Sequence, residues 1–241
     1  MPLRDHFREP LSRRRSWEGL HGLWPSTILL ELNRHLPDRY VAEPRVHLGN
    51  QFEIDISTFD EQPFDTVPPV DDAAATFACP TPTLVAEAEP SEDYAYEVLV
   101  FDQQRERRLV AAVELISPGN QDRPVSRRTF VDKCRRLLRC GVCVAMVDLV
   151  TTMSFNLYGE LCQIEGHPQP GFDEHHPSTF ASSSRMIPRG ERMRFESWAY
   201  PLSIGAPLPT LPLWITPDTA IPLELEPGYE AACEALRIPT A

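Results

Sequence analysis

Lysine is nearly missing from this chain. Its 241 residues include 23 lysines and arginines, of which Lys133 is the one lysine and the other 22 are arginine. Long apolar runs are missing too. No stretch of about 18 apolar residues occurs, which excludes a membrane-spanning helix. The opening MPLRDHFREPLSRRRSW carries arginines with no apolar stretch behind them, so it does not read as a signal peptide. Cysteines number six and are unevenly spaced, which is not the pattern of a disulfide framework. A reducing cytoplasm is the expected location. Positive charge is scarce overall: the net charge is −12 and the pI about 5.0. A general nucleic-acid coat protein is excluded on that ground, because phosphate binding rests on lysine and arginine.

Proline is what the chain has in excess. There are 25, about twice the usual share, concentrated in 63–90 and 201–227. Those stretches should be extended rather than helical. Length and a hydrophobic content of 42% suit one domain over 1–241. Within it we expect an α/β core over 17–150 and an acidic, proline-rich insertion at 60–92. Residues 180–241 should form a hairpin and then an extended segment wrapping the surface.

The local patterns give the order of elements. Trp24-Pro25-Ser26 followed by TILLELNRHL predicts a helix with proline in its first turn and Ile28, Leu29, Leu32 and Leu36 on one face. Strands are predicted at 43–48 and 51–58, where Phe52, Ile54 and Ile56 alternate with Glu53, Asp55 and Ser57. Further strands are expected at 82–88, 94–102 and 108–117. A helix from Val125 to Cys140 places Phe130, Val131, Cys134, Leu137 and Leu138 in one arc, and Gly141 stands where a C-terminal glycine belongs. The continuous apolar run VCVAMVDLV then reads as a strand buried on both faces. Strand, helix and buried strand in that order imply a crossover and a mixed, partly parallel sheet. A short helix at LYGELCQI, a hairpin around Pro188-Arg189-Gly190 and a last helix at GYEAACEALRI complete the reading.

The chemistry centres on carboxylates within strands. Glu114 lies inside VAAVELIS, and a carboxylate in a central strand must be paired, protonated or metal-bound. Asp55 presents the same case in EIDIS. Two such carboxylates on neighbouring strand ends would suit Mg2+ or Mn2+, hard cations held by one or two carboxylates with waters and substrate phosphates. Lys133, the solitary lysine, falls at the border of the buried arc of its helix, from where its ammonium can reach the sheet. A compact point charge orients or activates a water in a way arginine does not reproduce. Between Arg123 and Arg139 stand seven basic residues against one acid, Asp132, so the 123–139 helix is the candidate face for a nucleic-acid backbone.

The block VELISPGNQDRPVSRRTFVDKCRRLLRCGVCVAMVDLV, with EIDISTF before it and PLPTLPLWITPDTAIPLELEPGYEAACEAL after it, resembles the domain-of-unknown-function 4058 family over about Trp17 to Ile238. The same block is similar to the core of the PD-(D/E)XK restriction-endonuclease-like superfamily. That resemblance implies an αβββαβ arrangement around a mixed sheet, followed here by the proline-rich extended C-terminal segment. It places Asp55 and Glu114 as acidic metal ligands, Lys133 as a catalytic lysine displaced onto the following helix, and Glu31 as an extra acid on the first helix. The implied activity is metal-dependent phosphodiester hydrolysis; the alternative is a catalytically silent relative serving as a binding or scaffold module. The chain departs from the pattern at Ile116, two after Glu114, and at Gln121, since both positions would ordinarily hold lysine.

Other signals carry less. Cys140-Gly141-Val142-Cys143 closes a helix, whereas redox pairs open one. Cys162, His167, His175 and His176 match no metal-ligand spacing. Pro209-Thr210-Leu211-Pro212 is weak evidence for a partner groove in so proline-rich a chain. Ser117 has no G-x-S-x-G setting.

Overall fold

The computed structural model describes residues 2–43, 80–88, 99–104, 107–167, 179–190 and 192–239. Helix α1 spans Trp17–His35. Ser16 sets its start, accepting at its side chain from the Gly19 backbone N–H at 3.1 Å. Sequence reasoning placed proline in the first turn, yet the helix begins at Trp17 and Pro25 lies inside it. An interior proline costs about 3 kcal/mol. The stripe Trp17, Leu20, Trp24, Ile28 and Leu32 is buried along its whole length. Each indole removes apolar surface worth roughly 4–6 kcal/mol, so the stripe outweighs the proline.

Among the described residues seven strands form one sheet: β1 (Tyr40–Glu43), β2 (Leu84–Ala88), β3 (Leu99–Asp102), β4 (Arg108–Ile116), β5 (Cys143–Asp148), β6 (Phe180–Arg189) and β7 (Arg192–Pro201). Their spatial order is β1-β3-β4-β5-β6-β7-β2. The β4–β5 pair is parallel and every other pair antiparallel. The protein is therefore a mixed α/β molecule with a mostly antiparallel, partly parallel sheet. The strands expected at 43–48 and 51–58 lie, apart from Glu43, outside the described residues, as do 94–98. The proline-rich insertion contributes β2, which docks on β7 at one sheet edge.

Between β4 and β5 come a short helix α2 (Pro118–Gln121) and the crossover helix α3 (Pro124–Arg139). Helix α4 (Leu157–Ile164) follows β5. The β6–β7 hairpin turns at Gly190, whose φ of 65° suits glycine. Residues 207–225 were expected to wrap the surface as an extended segment. They are extended, but they fold back into the hairpin β8 (Thr210–Trp214) and β9 (Ala220–Glu224), which leads into helix α5 (Leu225–Ala235). Leu211, Leu213, Ile221 and Leu223 are buried. The cause is their period-two spacing, which aims all four at the sheet.

Each face of the sheet has its own core. One gathers Ala111, Val113, Ala145 and Val147 under α1, α5 and the β8–β9 hairpin. The other gathers Ala112, Ile116, Val144 and Met146 under α3 and α4. All six residues of β5 are buried, as a strand covered on both faces requires.

Candidate functional site

Alternation along β4 decides where Glu114 points. Val113 faces the α1 core, while Ala112 and Ile116 face the α3 core, so Glu114 projects toward α3. Lys133 comes from α3, three residues beyond Phe130, and its ammonium lies 5.6 Å from that ring's centroid. Lys133 Nζ donates to Glu114 Oε2 at 2.8 Å. The side chains are 16% and 2% exposed, so the pair is held away from water. The solitary lysine and the central-strand carboxylate, singled out separately in the sequence, thus meet.

Asp55 lies outside the described residues. Glu31 is described and is held elsewhere: Arg34 Nη1 donates to its two carboxylate oxygens at 2.6 and 2.8 Å. Its helix, α1, packs on the face opposite Glu114.

The two departures from the motif have structural roles. Ile116 is fully buried in the α3 core, where an ammonium would have no place. Gln121 is also fully buried and donates Nε2 to Asp148 Oδ2 at 2.6 Å. Asp148 Oδ1 accepts from the Val150 backbone N–H at 2.8 Å. Burial pushes the Asp148 carboxyl well above the usual carboxylate range, against the pull of those two hydrogen bonds. In the parallel register Glu114 stands opposite Met146 and Ile116 opposite Asp148. Asp148 and Glu114 therefore share a face. Sequence reasoning missed Asp148; the available signal was an acid inside the apolar run VCVAMVDLV.

The SPGN segment acts as a clasp at the carboxyl end of β4. Asn120 Oδ1 accepts from the Ser117 backbone N–H at 2.8 Å, and Arg127 Nη1 donates to the Gln121 carbonyl at 3.2 Å. These bonds tie α2 to the start of α3, the helix that carries Lys133.

The basic face of α3 is smaller than its composition suggests. Arg135 and Arg139 bind Glu165 at 2.6 and 3.0 Å, and Arg127 meets Glu160 at 3.5 Å while its guanidinium lies 3.6 Å from the Phe155 ring centroid. Arg123, Arg128 and Arg136 are the exposed guanidiniums of the segment, and Arg123 contacts Asp122 at 3.1 Å. Three of the seven charges, Arg127, Arg135 and Arg139, anchor α4 and its C-cap, and Lys133 faces Glu114, so three are left on the exposed face. Cys143 is buried beside Ser183, and His167 stacks on Phe195 with centroids 6.1 Å apart; His175 and His176 lie outside the described residues. Among the described residues no helix is long and apolar enough to cross a membrane, and no three His, Cys, Asp or Glu side chains group as metal ligands.

No protein-family model, curated protein or solved structure matches the chain.

Proposed function

We propose that Glu114 and Lys133 are the centre of a Mg2+- or Mn2+-dependent, nuclease-like phosphodiesterase site on a restriction-endonuclease-like core. The observation that carries this reading is the 2.8 Å contact from the chain's one lysine to a carboxylate in a central strand. The order of elements supports it. With β2 at the sheet edge and the one-turn α2 set aside, the chain runs α1, β1, β3, β4, α3, β5: helix, three strands, helix, strand. The described residues fit a hard cation only in part, because Glu114 offers one ligand and Asp55, the second, lies outside them. A divalent cation held there would polarise a phosphoryl oxygen and lower the pKa of a water. The chain's own part would be Glu114 as ligand, with Lys133 holding the carboxylate in place and balancing charge.

A second reading is favoured by a separate observation. Glu114 is 2% exposed and closed off by Lys133, while Ile116 fills the position of the expected lysine with core. A silent relative of such enzymes, serving as a binding or scaffold module, would keep the pair as a structural element. Calorimetric titration of Mn2+ into wild type and Glu114→Ala, with and without a short oligonucleotide, separates the two. One saturable site lost in the variant supports the enzyme and justifies a nuclease screen with Lys133→Ala. Absence of binding in both conditions supports the silent module.

A further inference from the structure

Residues 2–15 run ahead of α1 as an arm across α5. Leu3 pairs with the turn after β7: its backbone N–H donates to the Ala206 carbonyl and its carbonyl accepts from the Gly205 N–H, both at 2.8 Å. The Arg4 backbone N–H donates to the Tyr229 hydroxyl at 3.0 Å, and the His6 ring nitrogen Nε2 lies 2.6 Å from the same oxygen. Further along, Thr151 donates to Asp5 Oδ1 at 2.6 Å and Arg8 donates to the Thr151 carbonyl at 3.3 Å, which ties the arm to the turn after β5. Next to Thr151 is Val150, whose N–H is held by Asp148. Leu3, Arg4 and His6 are buried, as is Cys233 on α5, whose thiol lies against the Tyr229 hydroxyl and the Arg4 side chain.

One hydroxyl thus ties two residues of the arm to α5. It accepts from the Arg4 N–H and gives its own proton to His6, a bond that needs an imidazole with a bare Nε2, the neutral ring. Facing the ring are Arg4 and Asp5 from the arm, Tyr229 and Cys233 from α5, and Trp17 from α1 with ring centroids 6.2 Å apart. His21 lies behind Trp17, and Glu226 stands near Cys233. Burial first, and the Arg4 charge second, push the His6 ring down to about 4, with Asp5 pulling the other way. A proton on Nε2 removes the acceptor and adds a second cation beside Arg4 where water is excluded.

We propose that residues 2–15 are an acid-released strap: protonation of His6 lifts the arm from Tyr229, uncovers α5 around Cys233 and loosens the turn after β5. A detached arm carries a histidine of pKa about 6.5. The attached value is lower, so the neutral ring's contribution is present above about pH 6.5 and is lost as pH falls through about 4. Within that window each detached arm takes up a proton that the attached arm excludes, and the opening equilibrium rises with it. The strap lies on the α1 face of the sheet, opposite Glu114, and is independent of the phosphodiesterase reading.

The test is labelling of the full chain with 4,4′-dithiodipyridine at pH 7 and pH 4.5, located by peptide mass mapping and scaled to the rate for the urea-unfolded chain at each pH. We expect labelling of Cys233 to rise roughly fifty-fold between the two, as a detached histidine of pKa about 6.5 and an attached one of about 4 require. Cys134 and Cys162, buried on the α3 face, stay protected. His6→Gln, which takes no proton, should abolish the rise. Where that variant leaves the arm loose at pH 7 already, Arg4→Gln, which removes the neighbouring cation, must shrink the rise. No rise in wild type, an undiminished rise in the variants, or Cys134 and Cys162 labelled in step with Cys233 overturns the proposal.

Discussion

At the scale of single residues, the buried Glu114–Lys133 pair is the feature that most needs a reason. Lys133→Met removes the ammonium that faces a buried carboxylate and should cost about 3–5 kcal/mol. Replacing both with apolar residues of similar volume is commonly neutral or stabilising by about 1–4 kcal/mol. Glu114→Leu with Lys133→Met should therefore recover the loss, as urea denaturation of the single and double variants would register. A double variant as unstable as the single would mean that the pair fixes the fold through its geometry. Full recovery would mean that stability does not explain the pair, and would direct attention to chemistry. Asp148 gives a second residue-scale expectation. Its folded pKa lies above its unfolded value, so the carboxyl favours the fold below about pH 3.9, and that contribution is lost as pH rises through the folded pKa. Asp148→Asn keeps the acceptor for Val150, and its Nδ2 donates to Gln121 Oε1 once the Gln121 amide turns over. The variant should be at least as stable as wild type at pH 7 and should lose this component of the pH dependence. Thermal unfolding between pH 4 and 8 checks both; a less stable variant at pH 7 would show that the ionised carboxylate is the form the fold uses.

At the scale of elements, α1 shows what a pattern can and cannot reveal. Its second half was legible because Ile28, Leu32 and Leu36 repeat at helical spacing. Its first half was not, because Pro25 reads locally as a start while Trp17, Leu20 and Trp24 gain their weight only from burial against α5 and the sheet. Restoring the missing backbone donor should help: Pro25→Ala is expected to stabilise the protein by about 1–3 kcal/mol, less than the interior penalty because proline also stiffens the unfolded chain. Chemical denaturation measures it, and a destabilised variant would mean that the helix bends at Pro25 for the sake of packing. Crossover helix α3 and strand β5 were legible throughout, since an amphipathic arc and an unbroken apolar run are each self-contained signals. The basic count on α3 misled for the converse reason. Composition records seven charges, but it cannot record that Arg127, Arg135 and Arg139 reach acids of α4 and Lys133 reaches Glu114. Of the candidate site, Glu114 and Lys133 were found because each is unusual in its own segment. Asp148 was overlooked because its significance lies in a register between two strands.

At the scale of the whole molecule, the sequence suggested that 17–150 holds the core and that the extended segment 207–225 wraps it. The packing assigns the two ends of the chain to one face. The His6 ring nitrogen Nε2 lies 2.6 Å from the Tyr229 hydroxyl, Arg15 donates to the carbonyls of Leu236 and Arg237, and Thr27 donates to the carbonyl of Gly228 at 2.7 Å. Leu211, Leu213, Ile221, Leu223, Leu225 and Tyr229 are each at most 4% exposed within the core that α1 shares. At about 1.5–3 kcal/mol for each buried apolar side chain, those six alone are worth roughly 9–18 kcal/mol. That matches or exceeds the whole stability of a typical domain, about 5–15 kcal/mol. A chain ending at Pro209 should therefore lose the face of β4 and β5 that carries Val113 and Val147, and with it α1. The expected outcome is a fragment without a cooperative thermal transition or near-ultraviolet dichroism, while far-ultraviolet dichroism reports residual helix. A sharp transition in that fragment would mean instead that the α3 side of the sheet, with Glu114 and Lys133 in it, is a folding unit by itself, and the site could then be studied apart from the C-terminal hairpin.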